Sequence, residues 1–431
     1  MDIALTKQEI NSKGITSIES ATIQQNSKKI ISQNQNEMQN QGVPWHAFTL
    51  FYFPFALIFI SLIVEYYYQN VFFPIWVAYV IIPILDYVLP HDNYNLPENQ
   101  IRTYEKDKRF LIPLYAAWII DFYTYFYAMT LISKGMMPQG PAYFFLYSFC
   151  IANCGALNLS IGHELAHRKE LIHKICGNLV YSKMFYSHFI IQHIKSHHKK
   201  VATPEDPSTS RKGESIWDFL YRTLPEGYAE TWELEKTRLA LVGKSPYSLE
   251  NKLILWNIGH ILWLGVIYFA FGKLAAIFQI STSILNIIYF ETINYIEHYG
   301  LQRKKDVNGN YESVKITHSW NAPQVASNYL LFKLQRHSDH HANSYKPYQI
   351  LESLPESPNL PFGYTASFLL SFVPFVWFKV MDPYVDACNK GEKIDEKLKK
   401  ELDKWIFGTL FGISILFTYI NFWLVGFQYR F

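Results

Sequence analysis

The sequence predicts an all-α membrane protein: a six-helix transmembrane core with a histidine-rich metal site on one face, then a seventh transmembrane helix near the C-terminus. Three observations carry this. Of the 431 residues, 49% are hydrophobic and only 17% are charged. The apolar residues gather in uninterrupted runs of about 20, the length that makes lipid the solvent. Nine of the 15 histidines fall in four tight groups, each at or just beyond the end of such a run.

Taken in order, residues 1–45 are polar and rich in Gln, Asn and Ser. They cannot bury a core, so they read as a disordered tail. The tail is neither an Arg-rich transit peptide nor an apolar leader. Spans are expected at 47–65, 71–90, 110–132, 141–161, 253–271 and 274–296. A shorter apolar stretch, 365–381, reads as an interfacial or half-buried helix. The membrane domain then covers 46–385, and 386–431 holds a charged linker and the seventh span, 405–426. Lys and Arg collect in the tail and in segments 91–109 and 162–252, and are nearly absent from 65–70 and 133–140. That alternation places the basic segments, and with them the histidine groups, on the cytoplasm-like face.

The net charge of +3 comes without a basic stripe, which argues against nucleic acid. The four cysteines form no CxxC pair, so neither a disulfide framework nor a four-cysteine iron site is expected.

The histidine groups are "GHELAH" (His163, His167), "QHIKSHH" (His193, His197, His198), "NYIEHYG" (His298) and "LQRHSDHHA" (His337, His340, His341). Residues three or four apart share a helix face, so each larger group can aim two or three imidazoles at one point. Neutral imidazole is the commonest side-chain metal ligand. Nine rings overfill one ion, and a zinc site closes with four ligands. Two six-coordinate ions offer roughly twelve positions, leaving a few open, so two ions of the iron type are expected.

Three carboxylates beside these groups complete the candidate site as catalytic or hydrogen-bonding residues. They are Glu164 inside the first group, Asp206 in the Pro-framed "TPEDP", and Glu297 next to His298. Asn153, Asn158, Glu291 and Asn294 are polar positions on two spans that end in histidines, and mark the interior along which an apolar channel is expected. His318 reads as a neighbour of the site. His46, His91, His173, His188 and His260 read as structural.

These motifs resemble the histidine boxes of the integral-membrane alkane 1-monooxygenase family, which is related to membrane fatty acid desaturases and hydroxylases. "HELAH" with Arg168 resembles the first box, "NYIEHYGL" the single-histidine box, and "LQRHSDHHA" the third. "QHIKSHH" resembles the second box, E-H-x-x-G-H-H, with Gln192 and Ser196 replacing Glu and Gly. The likeness extends through "VATPEDPSTSRKGES", "HSWNAPQVASNYLLFKLQRH" and "WFKVMDP", covering roughly 45–385.

The resemblance implies a di-iron centre on the nine histidines that uses O2 to hydroxylate the terminal carbon of a medium or long alkyl chain. It also implies an external electron donor, a rubredoxin-like protein fed by an NAD(P)H-dependent reductase. Lys195, Lys199, Lys200, Arg211 and Lys212 are candidates to receive it. Lipid desaturation or ω-hydroxylation is the neighbouring alternative, and a structural subunit of a larger membrane complex the alternative of another class. The expected setting is a multi-pass membrane protein, with the organelle left open between the inner mitochondrial and endoplasmic reticulum membranes.

Overall fold

The structure is a computed structural model that describes residues 42–137 and 140–428. The expected tail lies almost wholly outside the described residues. Residues 42–47 and 96–107 belong to a small unit of their own. Its helix, Glu98–Lys106, is acidic in the first turn and basic in the last, as the helix dipole favours. Residues 48–95 and 108–428 belong to the main unit.

The main unit is all-α: the described residues contain isolated bridges but no strand. Its helices are α1 (Phe53–Tyr68), α2 (Phe73–Val88), α3 (Leu111–Ser133), α4 (Pro141–His167), α5 (Leu171–Lys183), α6 (189–200), α7 (Ile216–Ala240), α8 (Lys252–Phe271) and α9 (Lys273–His298). Then come α10 (Val325–Leu330), α11 (His337–Ala342), α12 (Tyr364–Ser371), α13 (Pro374–Lys390) and α14 (Glu396–Val425). Among the described residues, five helices are long and apolar enough to cross a membrane: Trp45–Tyr68, α4, α8, α9 and α14.

Burial separates these helices. The apolar window of α4 is 72% buried and that of α9 is 56%, against 11% for α8 and 6% for α14. The first two form the centre, while α8 and α14 turn apolar faces outward. Serine, asparagine and histidine on α4 and α9 point inward, as polar groups in a lipid-facing bundle must.

The structure departs from the expectation in three places: α3, where the third span is expected, is not among the five, and the second span and the stretch 365–381 also differ. The second is only 16 residues long, about 24 Å, which is short of a 30 Å hydrocarbon layer. Asn70 caps its start by accepting from the N–H groups of Phe72 and Phe73. Pro90 ends it by holding Leu89 extended. The stretch 365–381 is two pieces, not one half-buried helix. Every residue of α12 is buried, and Val373 leaves the helical region because Pro374 follows it.

The charged linker is mostly helix. Asp395 caps α14 through the N–H groups of Lys397 and Leu398, so only 391–395 is left as connection. Helix α14 packs on the core through buried Leu402 and Ile406. Near its end, Asn70 Nδ2 donates to Asn421 O and Oδ1 at 3.0 and 3.1 Å.

One close approach sets the geometry below. Helices α4 and α5 meet at glycines: a Cβ on Gly177 would lie 2.9 Å from the Gly162 carbonyl oxygen and 3.0 Å from the Ala166 nitrogen. No larger residue fits there unless α5 moves off the helix that carries His163 and His167.

Candidate metal centre

The fold brings the nine histidines of the four boxes into two adjoining clusters. One holds His163, His167, His193, His198 and His340, and the other His197, His298, His337 and His341. Within each, one nitrogen per ring lies within 4.8 Å of all the others. The clusters abut, with the His198 and His341 ring centroids 4.6 Å apart.

The division differs from a simple reading of spacing, in which each box serves one point. Segment His193–His197 is a π-turn inside α6. Its i→i+5 repeat brings His198, rather than His197, into register with His193, and their Nε2 atoms are 3.0 Å apart. His197 turns to the second cluster. In α11, an ordinary α-helix, His337 and His341 stay together at 3.0 Å while His340 serves the first cluster.

Neighbours hold α11 on both sides. Arg336 pairs with Asp92 at 3.1 Å and donates to Tyr94 O and Leu351 O. Asp339 accepts from Lys346 Nζ, Asn343 Nδ2 and Glu352 N. Arg336, just before the histidines of the third box, and Asp339, between them, therefore fix its position.

The ring nitrogens suit cations better than hydrogen bonds. His193 Nε2 faces both His163 Nε2 at 2.8 Å and His198 Nε2 at 3.0 Å. His337 Nε2 faces both His298 Nε2 at 3.2 Å and His341 Nε2 at 3.0 Å. An imidazole nitrogen has a single in-plane donor or acceptor direction, so it cannot serve two such partners well. Two nitrogens bound about 2.1 Å from one ion at right angles are themselves about 3.0 Å apart. The Nε2 atoms of His167, His197 and His340 are buried without a hydrogen-bond partner. Burial pushes His193, His198, His337, His340 and His341 below the usual imidazole range, and their histidine neighbours add to it. The rings are therefore neutral and offer lone pairs. The donor set fits two metal ions.

The carboxylates take three different places. Asp206 Oδ2 accepts from His197 Nδ1 at 2.8 Å and from Thr209 Oγ1 at 2.7 Å. Burial raises the Asp206 carboxyl, but His197 and these hydrogen bonds outweigh it and hold it below the usual range. An ionised Asp206 keeps the proton of His197 on Nδ1 and leaves Nε2 free for a metal. Glu297 Oε2 lies 3.3 Å from His337 Nε2, and its Oε1 is buried without a partner. Glu164 touches none of the nine rings through a hydrogen bond and pairs with Arg168 at 2.6 Å instead.

Glu230 was not visible from motif reading. It accepts from Gln192 and Ser196, the two positions where the second box departs from its usual pattern, and from Lys200. A carboxylate from α7 thus stands where the box itself lacks one. No local signal marks it, because it lies more than 30 residues away in sequence.

The side chains of the other histidines stay apart, although the His318 backbone meets the His298 ring. His318 faces Glu312 at 3.4 Å, His173 meets Tyr115, and His260 meets Ser187. Glu205, next to Asp206 in the chain, is exposed.

An apolar cavity of about 70 Å³ ends on both clusters, touching His163 and His193 of one and His337 of the other, with Glu297 beside them. Asn153 and Asn294 line it. Asn158 instead donates to Asp121, and Glu291 accepts from Tyr186. Tyr79, Phe368 and Tyr289 stack along one wall, with centroids 5.4 and 5.1 Å apart.

Residues 138–366 match the fatty acid desaturase family. The chain is 38% identical over 318 residues to alkane 1-monooxygenase 1 of Alcanivorax borkumensis, covering 73% of this chain and 77% of that protein. It is 36% identical over 332 residues to alkane 1-monooxygenase of Ectopseudomonas oleovorans (75% and 81% covered). It is 35% identical over 337 residues to alkane 1-monooxygenase of Pseudomonas putida (76% and 82% covered).

Proposed function

Since the chain belongs to the alkane 1-monooxygenase family and is a multi-pass membrane monooxygenase, we propose that it hydroxylates the terminal carbon of a medium or long alkyl chain with O2 at two irons. The observation that carries this reading is the apolar cavity that ends on rings of both clusters.

In this reading His163, His167, His193, His198 and His340 hold one iron, and His197, His298, His337 and His341 the other. When bound, the pair supplies two-electron activation of O2, which a non-polar C–H bond needs because acids and bases find no charge on it to act upon. The chain's own residues do the rest. The aromatic and aliphatic wall desolvates an alkyl chain and aims its end at the rings. Asp206 orients His197. Glu297, beside the rings where the cavity ends, offers a buried carboxyl oxygen that can accept or return a proton. Glu164 stabilises the end of α4 through Arg168.

In this reading electrons come from a separate rubredoxin-like protein with an NAD(P)H-dependent reductase. The polar tail, the membrane domain and the C-terminal helix remain the proposed division, with the histidine-bearing face on the cytoplasm-like side.

The test is metal analysis of the purified chain combined with product detection after feeding alkanes and fatty acids with reductant and O2. Iron and a terminal alcohol are expected. Zinc, or no oxygenated product from any chain, overturns the reading, and an olefin shifts it to desaturation. The variant His340→Ala is expected to lose activity and iron together.

A further inference from the structure

Outside the metal centre, α5, α6, α7 and α8 enclose a groove of about 820 Å³ with two chemical halves. Its rim carries Lys174, Lys195, Lys199 and Lys252. Its floor is apolar, including Ile175, Ile194, Leu255 and Trp256. Ile175 and Leu255 are 46% and 54% exposed, unusual for a face that water alone would cover.

The charge on the rim is compensated only in part, by Glu235 acting on Lys252. The acid in the groove is Glu235, and it is already taken by Arg238 at 2.7 Å and by the backbone N–H of Lys252 at 2.9 Å. Among the described residues, none of the four lysine ammonium groups has an ion-pair partner. The groove also sits at a defined depth. Lys252 is the first residue of the span α8 and Trp256 lies one turn inside it, while Ala166 is next to last in the span α4. Lysine at the edge with tryptophan a turn deeper is how a chain marks the boundary between headgroups and hydrocarbon.

The structure assigns this groove to an anionic membrane phospholipid. Its phosphate sits among the lysine ammonium groups and its acyl chains lie along the floor between α5 and α8. Zwitterionic lipids satisfy the floor but not the rim, and a soluble acidic protein satisfies the rim but not the floor. Lys195 and Lys199 stand on α6, the helix that carries His193, His197 and His198 on its other side. The lipid therefore braces the outer face of a histidine-bearing helix. The assignment does not depend on which metal the rings hold.

The experiment uses the full chain in nanodiscs containing equal phosphatidylcholine and phosphatidylglycerol, extracted into detergent and read by native mass spectrometry for retained lipid. Wild type is expected to keep phosphatidylglycerol selectively. In the variant Lys174→Gln/Lys195→Gln/Lys199→Gln that selectivity is expected to fall by about tenfold or more, while Lys304→Gln/Lys305→Gln/Lys315→Gln leaves it unchanged. Equal retention of the two lipids by wild type overturns the assignment. So does a groove variant that keeps the selectivity, including one that loses only reduction by an acidic donor protein. A photoreactive phosphatidylglycerol on the unmodified chain gives the second reading: labels on α5 and the first turns of α8 are expected, and labels confined to other helices overturn it.

Discussion

Asp206 shows how one side chain sets the state of another. Its carboxylate stays ionised below the usual range, so His197 presents Nε2 to the second cluster. Replacing it with Asn keeps the shape and removes the charge. The expected outcome for Asp206→Asn is metal affinity lower by about 10–100-fold, read as a fall in iron per chain by elemental analysis. Lys333 carries a stability signal away from the rings. Burial pushes its ammonium down to about 8, Arg336 adds to this, and Asp92 opposes it. The unfolded chain keeps that proton up to about pH 10.4, so the protonated folded form bears the cost below pH 8. Stability should then rise between about pH 8 and pH 10, by on the order of 3 kcal/mol at most. Circular-dichroism melts across that range check this, and Lys333→Met should flatten the rise. Residue identity was the most legible layer: histidine is costly to crowd and has few reasons to recur at helical spacing, so the nine rings stood out. Glu230 did not, because a carboxylate on a surface helix looks like any other until the fold brings it to Ser196.

At the scale of elements, spacing predicts faces only when the helix type is known. The pairing of His193 with His197 is right for an α-helix and wrong for the π-turn that forms, and no residue in "QHIKSHH" announces the extra backbone residue per turn. Proline was the other source of difference. Pro90 closes one apolar run and Pro374 interrupts another, and the helical conformation breaks at the residue before each. The contact between α4 and α5 gives the element-scale prediction. Gly177→Leu must push α5 away, since its Cβ alone would meet the Gly162 carbonyl oxygen at 2.9 Å. The expected cost is about 1–3 kcal/mol, together with reduced iron content. Normal iron with a lowered melting point would show that His163 and His167 tolerate the displacement.

For the whole molecule, the all-α membrane class was legible because lipid demands long apolar helices and little else satisfies that demand. What the sequence could not display is how distant boxes share their rings. Helix α6 gives His193 and His198 to one cluster and His197 to the other, and α11 divides its three histidines in the opposite proportion. Two short helices are thus rivets through both halves of the centre. Filling either half draws both helices into place for its neighbour, so the apo chain should take up ferrous iron in a sigmoidal titration, with singly loaded protein scarce at every ratio. Independent hyperbolic uptake, seen by native mass spectrometry, would mean the halves are strangers despite their common scaffold.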